Sequence, residues 1–319
     1  MHESNRKSYF VTGGAGFIGS HLTEKLLAEG NRVTVYDNLA SGRTENIEQH
    51  SGAENFRFIQ ADLLDESTLK RVMKAHDIVW HLGANTDIPT GNKVTDLDLR
   101  NCTIATRNVL EAMRENNINY LLFASTACVY GDAPPVALSE GFGPLLPINL
   151  YGAGKLACEG LISAYCHLFD IRAWIFRFAN VVGARMGHGV IYDFIQKLKR
   201  NPEELEILGD GNQEKPFFLV EDCIEGMLCA FRDSTDECSI YNLGVDSVTR
   251  VTSIAKIVAD EMGLQNVRFK YTGGRQGWPG DAPIIHFNVE RMKAMGWQAK
   301  HTSDEAVRIA IRRLLGTKG

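Results

Sequence analysis

The feature that most restricts this chain lies at its start. The β-prone run Tyr9-Phe10-Val11-Thr12 passes into Gly13-Gly14-Ala15-Gly16-Phe17-Ile18-Gly19, and then into a helical pattern with Leu22, Leu26 and Leu27 on one face. Glycines in a strand-to-helix turn let the backbone approach a pyrophosphate, while the helix N-terminus offers free N–H donors and partial positive charge. Gly13, Gly16 and Gly19 suit those roles, with Phe17 and Ile18 between them. A second strand, Val33-Thr34-Val35-Tyr36, ends in Asp37, 18 residues past Gly19. A carboxylate at that point accepts hydrogen bonds from an adenosine ribose and repels the extra phosphate of NADP, so the pattern predicts an NAD site. Asp62, after a third strand, reads equally as an adenine contact or as a helix cap.

Beyond this turn, short β-rich runs alternate with helical periodicities as far as about Val182. The strands expected are Tyr9 to Thr12, Arg32 to Asp37, Phe56 to Gln60, Ile78 to His81, Tyr120 to Ser125 and Arg172 to Phe178. The helices expected between them are Phe17 to Glu29, Glu66 to Ala75, Val94 to Asn116 and Leu150 to Leu168. Apolar strands each followed by an amphipathic helix imply a parallel sheet covered on both faces, a doubly wound α/β domain. After Val182 the pattern is irregular, with helices expected near Val190 to Arg200, Glu221 to Arg232, Thr252 to Met262 and Ser303 to Leu315. Short strands are expected near Glu206 to Leu208, Ile240 to Asn242 and Val267 to Tyr271. The division expected is residues 1–180 for the nucleotide-binding domain and 181–319 for a smaller substrate lobe, with a soft boundary and interleaved segments.

A net charge of −5 argues against a chain whose main task is neutralising nucleic-acid phosphates. The seven cysteines are odd in number and form no Cys-x-x-Cys pair, which reads as reduced thiols in a cytoplasmic protein. No run approaches the roughly 20 apolar residues of a membrane span, and the polar N-terminal stretch does not resemble a signal peptide. The nine histidines show no ligand spacing, so no metal is expected.

Tyr151 and Lys155 stand four apart at the start of an expected helix, which places them on one face. Nine tyrosines and 14 lysines give about 0.4 such pairs by chance, so position must carry the case. The pair opens the helix after the fifth strand, and that strand runs into Ser125-Thr126 at the carboxyl edge where open α/β sheets bind ligands. A phenol of pKa about 10 needs roughly 4 kcal/mol of phenolate stabilisation to titrate near pH 7. A lysine ammonium and a positive nicotinamide ring can share that work. Tyr151 then serves as acid and base at a sugar hydroxyl, with Thr126 bonded to the same oxygen.

The ordered motifs Thr12 to Gly19, His81-Leu82-Gly83-Ala84, Asn101 with Thr106 and Asn108, Ser125 to Gly131, Tyr151-x-x-x-Lys155 and Arg177-Phe178-Ala179-Asn180 resemble the NAD-dependent epimerase/dehydratase family over nearly the whole chain. Within it the sequence is most similar to UDP-glucose 4-epimerases of archaeal and bacterial type. The resemblance implies a Rossmann-type domain holding NAD, with Thr126, Tyr151 and Lys155 as the catalytic group. It places cofactor contacts at Asn38, Asp62, Leu63, Leu82, Ala84, Asn101, Tyr151, Lys155 and Phe178, besides the glycine turn and Asp37. Sugar-nucleotide contacts are expected at Thr126, Asn180, Gly189, Val190, Lys215, Phe217 and Arg275, and the assembly is expected to be a homodimer.

Three departures matter. Members that dehydrate carry an Asp-Glu pair where this chain has Ala127 and Cys128. Elimination of water needs an acid and a base there; Ala127 can be neither, and Cys128 is a base only with a depressed thiol pKa, reading more readily as a small core hydrophobe beside Val129. Lys215-Pro216-Phe217-Phe218 and Trp278-Pro279-Gly280-Asp281 replace Arg-Asp and Arg-Pro-Gly-Asp motifs, which leaves the nucleotide open. Arg275 can supply the missing guanidinium or be a solvated loop charge, and Trp278 can stack on a base or sugar. The leading expectation is a UDP-hexose 4-epimerase. The alternatives are a C4 oxidase or reductase, a 4,6-dehydratase, and a non-catalytic NAD sensor or scaffold, which has no reason to keep Thr126, Tyr151 and Lys155 together.

Overall fold

A computed structural model describes residues 6–234 and 236–317, which form two compact units. The first comprises Met1–Thr126, Leu150–Arg177 and Ala230–Ile240; the second comprises Ala127–Asn149, Phe178–Cys229 and Tyr241–Gly319.

The principal sheet has seven strands: β1 (Ser8–Thr12), β2 (Arg32–Asp37), β3 (Phe56–Gln60), β4 (Ile78–His81), β5 (Tyr120–Thr126), β6 (Arg172–Phe178) and β7 (Cys238–Leu243). Their order is β7-β6-β5-β4-β1-β2-β3, with parallel pairing of β1 to β2 and β4, β2 to β3, and β4 to β5. This is the doubly wound Rossmann-type arrangement, and the order reverses at β1, beside the glycine turn. β1 is buried along its whole length and β4 likewise, as continuous apolar runs require when helices cover both faces. The helices of this unit are α1 (Phe17–Ala28), α2 (Glu66–Met73), α3 (Ala105–Glu115) and α4 (Leu150–Phe169). One core gathers Phe10, Tyr36, Val79, Leu121 and Phe123 of the sheet with Leu69, Val109, Met113, Cys158 and Ile162 of the helices.

Most expected elements fall within two residues of their observed bounds. The long helix expected from Val94 to Asn116 does not form as such. A short helix occupies Ile88–Gly91, turns follow, and Leu99–Ile104 is a π-helix that leads into α3. A single wider turn has no residue signature of its own, so the sequence pattern does not reveal it. Asp65, not Asp62, caps α2, accepting from Thr68 N at 3.1 Å.

In the second unit, helices α5 (Val190–Arg200), α6 (Val220–Asp233, its last turn counted in the first unit), α7 (Val251–Glu261) and α8 (Ser303–Leu315) surround short two-stranded sheets. Its own core joins Ile191, Phe194 and Leu198 of α5 to Leu205, Ile254, Val258, Val307 and Ile311. A capping box starts α8: Thr302 accepts from Glu305 N while the Glu305 carboxylate accepts from Thr302 N. Among the described residues no helix is long and apolar enough to cross a membrane.

Candidate active site

The turn after β1 is sterically fixed. Gly13 has φ +68°, and a Cβ there would stand 2.7 Å from Gly83 N; at Gly19 it would stand 2.1 Å from Gly13 O. Only glycine fits either place. At Gly16 a Cβ would meet Gly13 O alone, at 3.1 Å, and Gly16 is the N-cap of α1 with no side chain covering the helix end. That open end, flanked by Phe17 and Ile18, fits a pyrophosphate cradle.

Asp37, the last residue of β2, is buried beside this turn. Its Oδ2 accepts from Ala15 N at 3.0 Å and its Oδ1 from Leu39 N at 2.8 Å. Burial raises its carboxyl above the usual range, and those two N–H donors oppose the rise. Each oxygen keeps acceptor capacity for a ribose hydroxyl. Asn38 donates to Asp62 Oδ2 at 3.0 Å, while Asp62 Oδ1 accepts from Leu64 N at 2.8 Å. Leu63 lies in the same loop, and its carbonyl accepts from Asn108 at 3.0 Å. Leu82 N donates to Thr12 O at 3.2 Å, which sets the Leu82-to-Ala84 segment against the turn. Asn101 is half-buried within the π-helix.

Below this edge His81 is fully buried between two hydroxyls, Thr12 Oγ1 at 2.7 Å from Nδ1 and Thr106 Oγ1 at 3.0 Å from Nε2. Burial, with the Lys155 ammonium adding to it, pushes its pKa down to about 3. It is a neutral structural ring.

Tyr151 and Lys155 occupy the first turns of α4, and Thr126 ends β5. Lys155 is 2% exposed; its Nζ donates to Ala124 O at 2.6 Å and lies 4.6 Å from the Phe123 ring centroid and 5.9 Å from that of Tyr151. A buried ammonium against the phenol ring stabilises a phenolate more than it would in water. One turn further along α4, Glu159 is buried in a bidentate pair with Arg177, Nη2 to Oε2 at 2.7 Å and Nε to Oε1 at 3.1 Å. Ser125 donates to Glu159 Oε1 at 2.5 Å. The network ties the ends of β5 and β6 to the helix that carries Tyr151.

Sequence reasoning missed this network and also missed Asp98, although Arg177 was quoted in a motif. Asp98 is 1% exposed, takes Asn85 Nδ2 on Oδ1 at 2.9 Å, and leaves Oδ2 without a hydrogen-bond partner among the described residues. Burial raises its carboxyl. A spacing rule for Glu159, four residues past Lys155, was the one available signal.

Apart from Thr126, the residues expected to meet the sugar nucleotide lie in the second unit. Asn180 and Phe217 are register partners in a two-stranded sheet, and Asn180 Nδ2 donates to Pro216 O at 3.2 Å. Gly189 has φ +97° and is the N-cap of α5, so Val190 opens that helix. Lys215 is ion-paired with the buried Asp281, which also accepts from Gly277 N at 3.2 Å. Arg275 forms a bidentate pair with Asp132, at 2.7 and 3.1 Å, and remains 60% exposed. Asp132 carries no signal in the sequence, and Asp281 stands there only as the end of the Trp278-Pro279-Gly280-Asp281 motif. Phe178, the last residue of β6, is buried.

The NAD dependent epimerase/dehydratase family model matches residues 9–244. The chain belongs to that family. This epimerase/dehydratase family member is NAD-dependent, as the glycine turn and Asp37 anticipate. It is 31% identical over 309 residues to a Methanocaldococcus jannaschii protein provisionally named UDP-glucose 4-epimerase, covering 94% of this chain and 96% of the relative. It is also 31% identical over 270 residues to UDP-glucuronic acid decarboxylase 1 of Xenopus tropicalis, covering 82% of this chain and 62% of that protein. Among solved structures, a UDP-galactose 4-epimerase aligns at TM-score 0.86 and 37% identity, covering 97% and 99% of the two chains. The family member is therefore an enzyme related to those that act on UDP-sugars.

Proposed function

We propose that this enzyme is a 4-epimerase of a UDP-hexose, with Thr126, Tyr151 and Lys155 as its catalytic group. The observation that carries the reading is the buried Lys155 ammonium, held on Ala124 O beside the Tyr151 ring at the end of β5. Tyr151 takes the proton from the C4 hydroxyl and later returns it, while Thr126 bonds the same oxygen. NAD supplies a hydride acceptor at the nicotinamide when bound at the glycine turn. Lys155 stabilises the phenolate and keeps the proton transfer in step with the redox change at C4. Asn180, Gly189, Val190, Lys215, Phe217 and Arg275 are proposed for the sugar nucleotide, and Arg275 leaves Asp132 to pair with a phosphate.

Ala127 supports epimerisation over dehydration, because it offers no proton-transfer group beside Thr126. A relative that decarboxylates a uronic acid gives the second reading, since the same C4 oxidation activates that loss. Deuterium at C4 of UDP-glucose separates these. An epimerase yields UDP-galactose with the label still at C4; a C4 oxidoreductase passes it to the soluble cofactor, and a dehydratase moves it to C6. Release of carbon dioxide from UDP-glucuronic acid, without turnover of UDP-glucose, overturns the proposal.

A further inference from the structure

None of the seven cysteines is in a disulfide, and three of them, Cys102, Cys158 and Cys223, are buried thiols whose pKa is raised by that burial. Cys166 and Cys238 differ. Cys166 sits in the last turn of α4 and Cys238 opens β7, 72 residues apart in sequence, yet the fold brings the two side chains together at one cleft. Both line a cleft of about 460 Å³ in the first unit, together with Ser163, His167, Asp236 and Glu237. Cys166 is buried whereas Cys238 is half-exposed, so a reagent in the cleft reaches Cys238 first.

We propose that Cys166 and Cys238 form a reversible dithiol–disulfide site, oxidised by small disulfides that carry neutral or positive charge. Cys238 is the more exposed of the two sulfurs, which gives them different parts in the exchange. The Cys238 thiolate attacks one sulfur of the small disulfide, breaks its S–S bond and releases the first small thiol, which takes up the proton from Cys238. The Cys166 sulfur then attacks Cys238 in the mixed disulfide, and the second small thiol leaves with the Cys166 proton. The two cysteine sulfurs are oxidised by two electrons and the small disulfide is reduced by two. Asp236 and Glu237, just before β7, line the cleft with His167, and Glu159 of α4 is a further negative charge near the pair. That acidic lining selects against an anionic disulfide.

The test uses the full chain, incubated with cystamine, hydroxyethyl disulfide or oxidised glutathione and quenched by alkylation. The expected product is 2 Da lighter than the reduced protein, with Cys166 joined to Cys238 in the peptide map, formed at least tenfold faster with cystamine than with oxidised glutathione. Cys166→Ser should stop at a mixed disulfide on Cys238, and Cys238→Ser should form no cross-link. Should either variant fail to fold, the wild-type peptide map and its rates decide alone. A mixed disulfide that persists in the wild type, cross-links among other cysteines, faster reaction with oxidised glutathione, or no reaction at either thiol overturns the proposal. The site does not depend on which sugar the enzyme turns over.

Discussion

The Glu159–Arg177 pair gives the sharpest test of how the helix that carries Tyr151 and Lys155 is held. Its side chains are 5% and 3% exposed, and two hydrogen bonds join them. Desolvation of both ions has already been offset by their attraction, so removing one leaves the other buried without its counter-charge, at a cost of about 3–5 kcal/mol. Glu159→Gln keeps the shape but turns an amide NH2 toward donors, and Arg177→Met strands the carboxylate on Ser125 alone. The joint replacement Glu159→Leu with Arg177→Met removes both charges, leaving the Ser125 hydroxyl as the main loss, about 1 kcal/mol. Urea unfolding should therefore show each single variant weaker than the double one, with a coupling of at least about 2 kcal/mol. Glu159 is on the same face of α4 as Tyr151 and Lys155, so the single variants should also lose kcat with little change in KM. Additive effects in the cycle, or single costs under about 1 kcal/mol, would refute the reasoning.

Tyr151→Phe should retain NAD binding, measured by fluorescence titration, while turnover falls at least about 1,000-fold, because only the proton-transfer group is lost; activity within tenfold of wild type removes Tyr151 from the mechanism. Asp37→Ser should weaken NAD about tenfold or more and narrow its margin over NADP, and an unchanged preference counts against the ribose role. His81 has a folded pKa of about 3 against about 6.5 unfolded, so the unfolded chain binds the extra proton between those values. Its contribution is complete above about pH 6.5 and is lost as pH falls toward 3, at up to about 1.4 kcal/mol per pH unit. His81→Gln should flatten that slope in urea midpoints taken from pH 7 to 4, and an unaltered slope contradicts the assignment. Leu99, Ile104, Leu168 and Phe169 are exposed apolar side chains on the π-helix and α4, and pairing those helices across a two-fold axis predicts a dimer by sedimentation. A monomer at micromolar concentration would contradict it.

The amino-acid sequence by itself determined what depends on near neighbours. The glycines at 13 and 19 dictate the turn because no Cβ fits there, and continuous apolar runs dictate strands covered on both faces. The four-residue spacing of Tyr151 and Lys155 dictates a shared helix face, and Ala127 limits the chemistry beside Thr126 whatever surrounds it. The tertiary structure alone decided which distant charges meet. Arg275 and Asp132 are 143 residues apart, Lys215 and Asp281 are 66 apart, and Glu159 finds Arg177 and Ser125 on two different strands. The π-helix at Leu99–Ile104 and the half-satisfied Asp98 were equally hidden. Periodicity encodes the face an element buries, whereas the partner of a buried charge is set by strand order and packing, which local sequence does not specify.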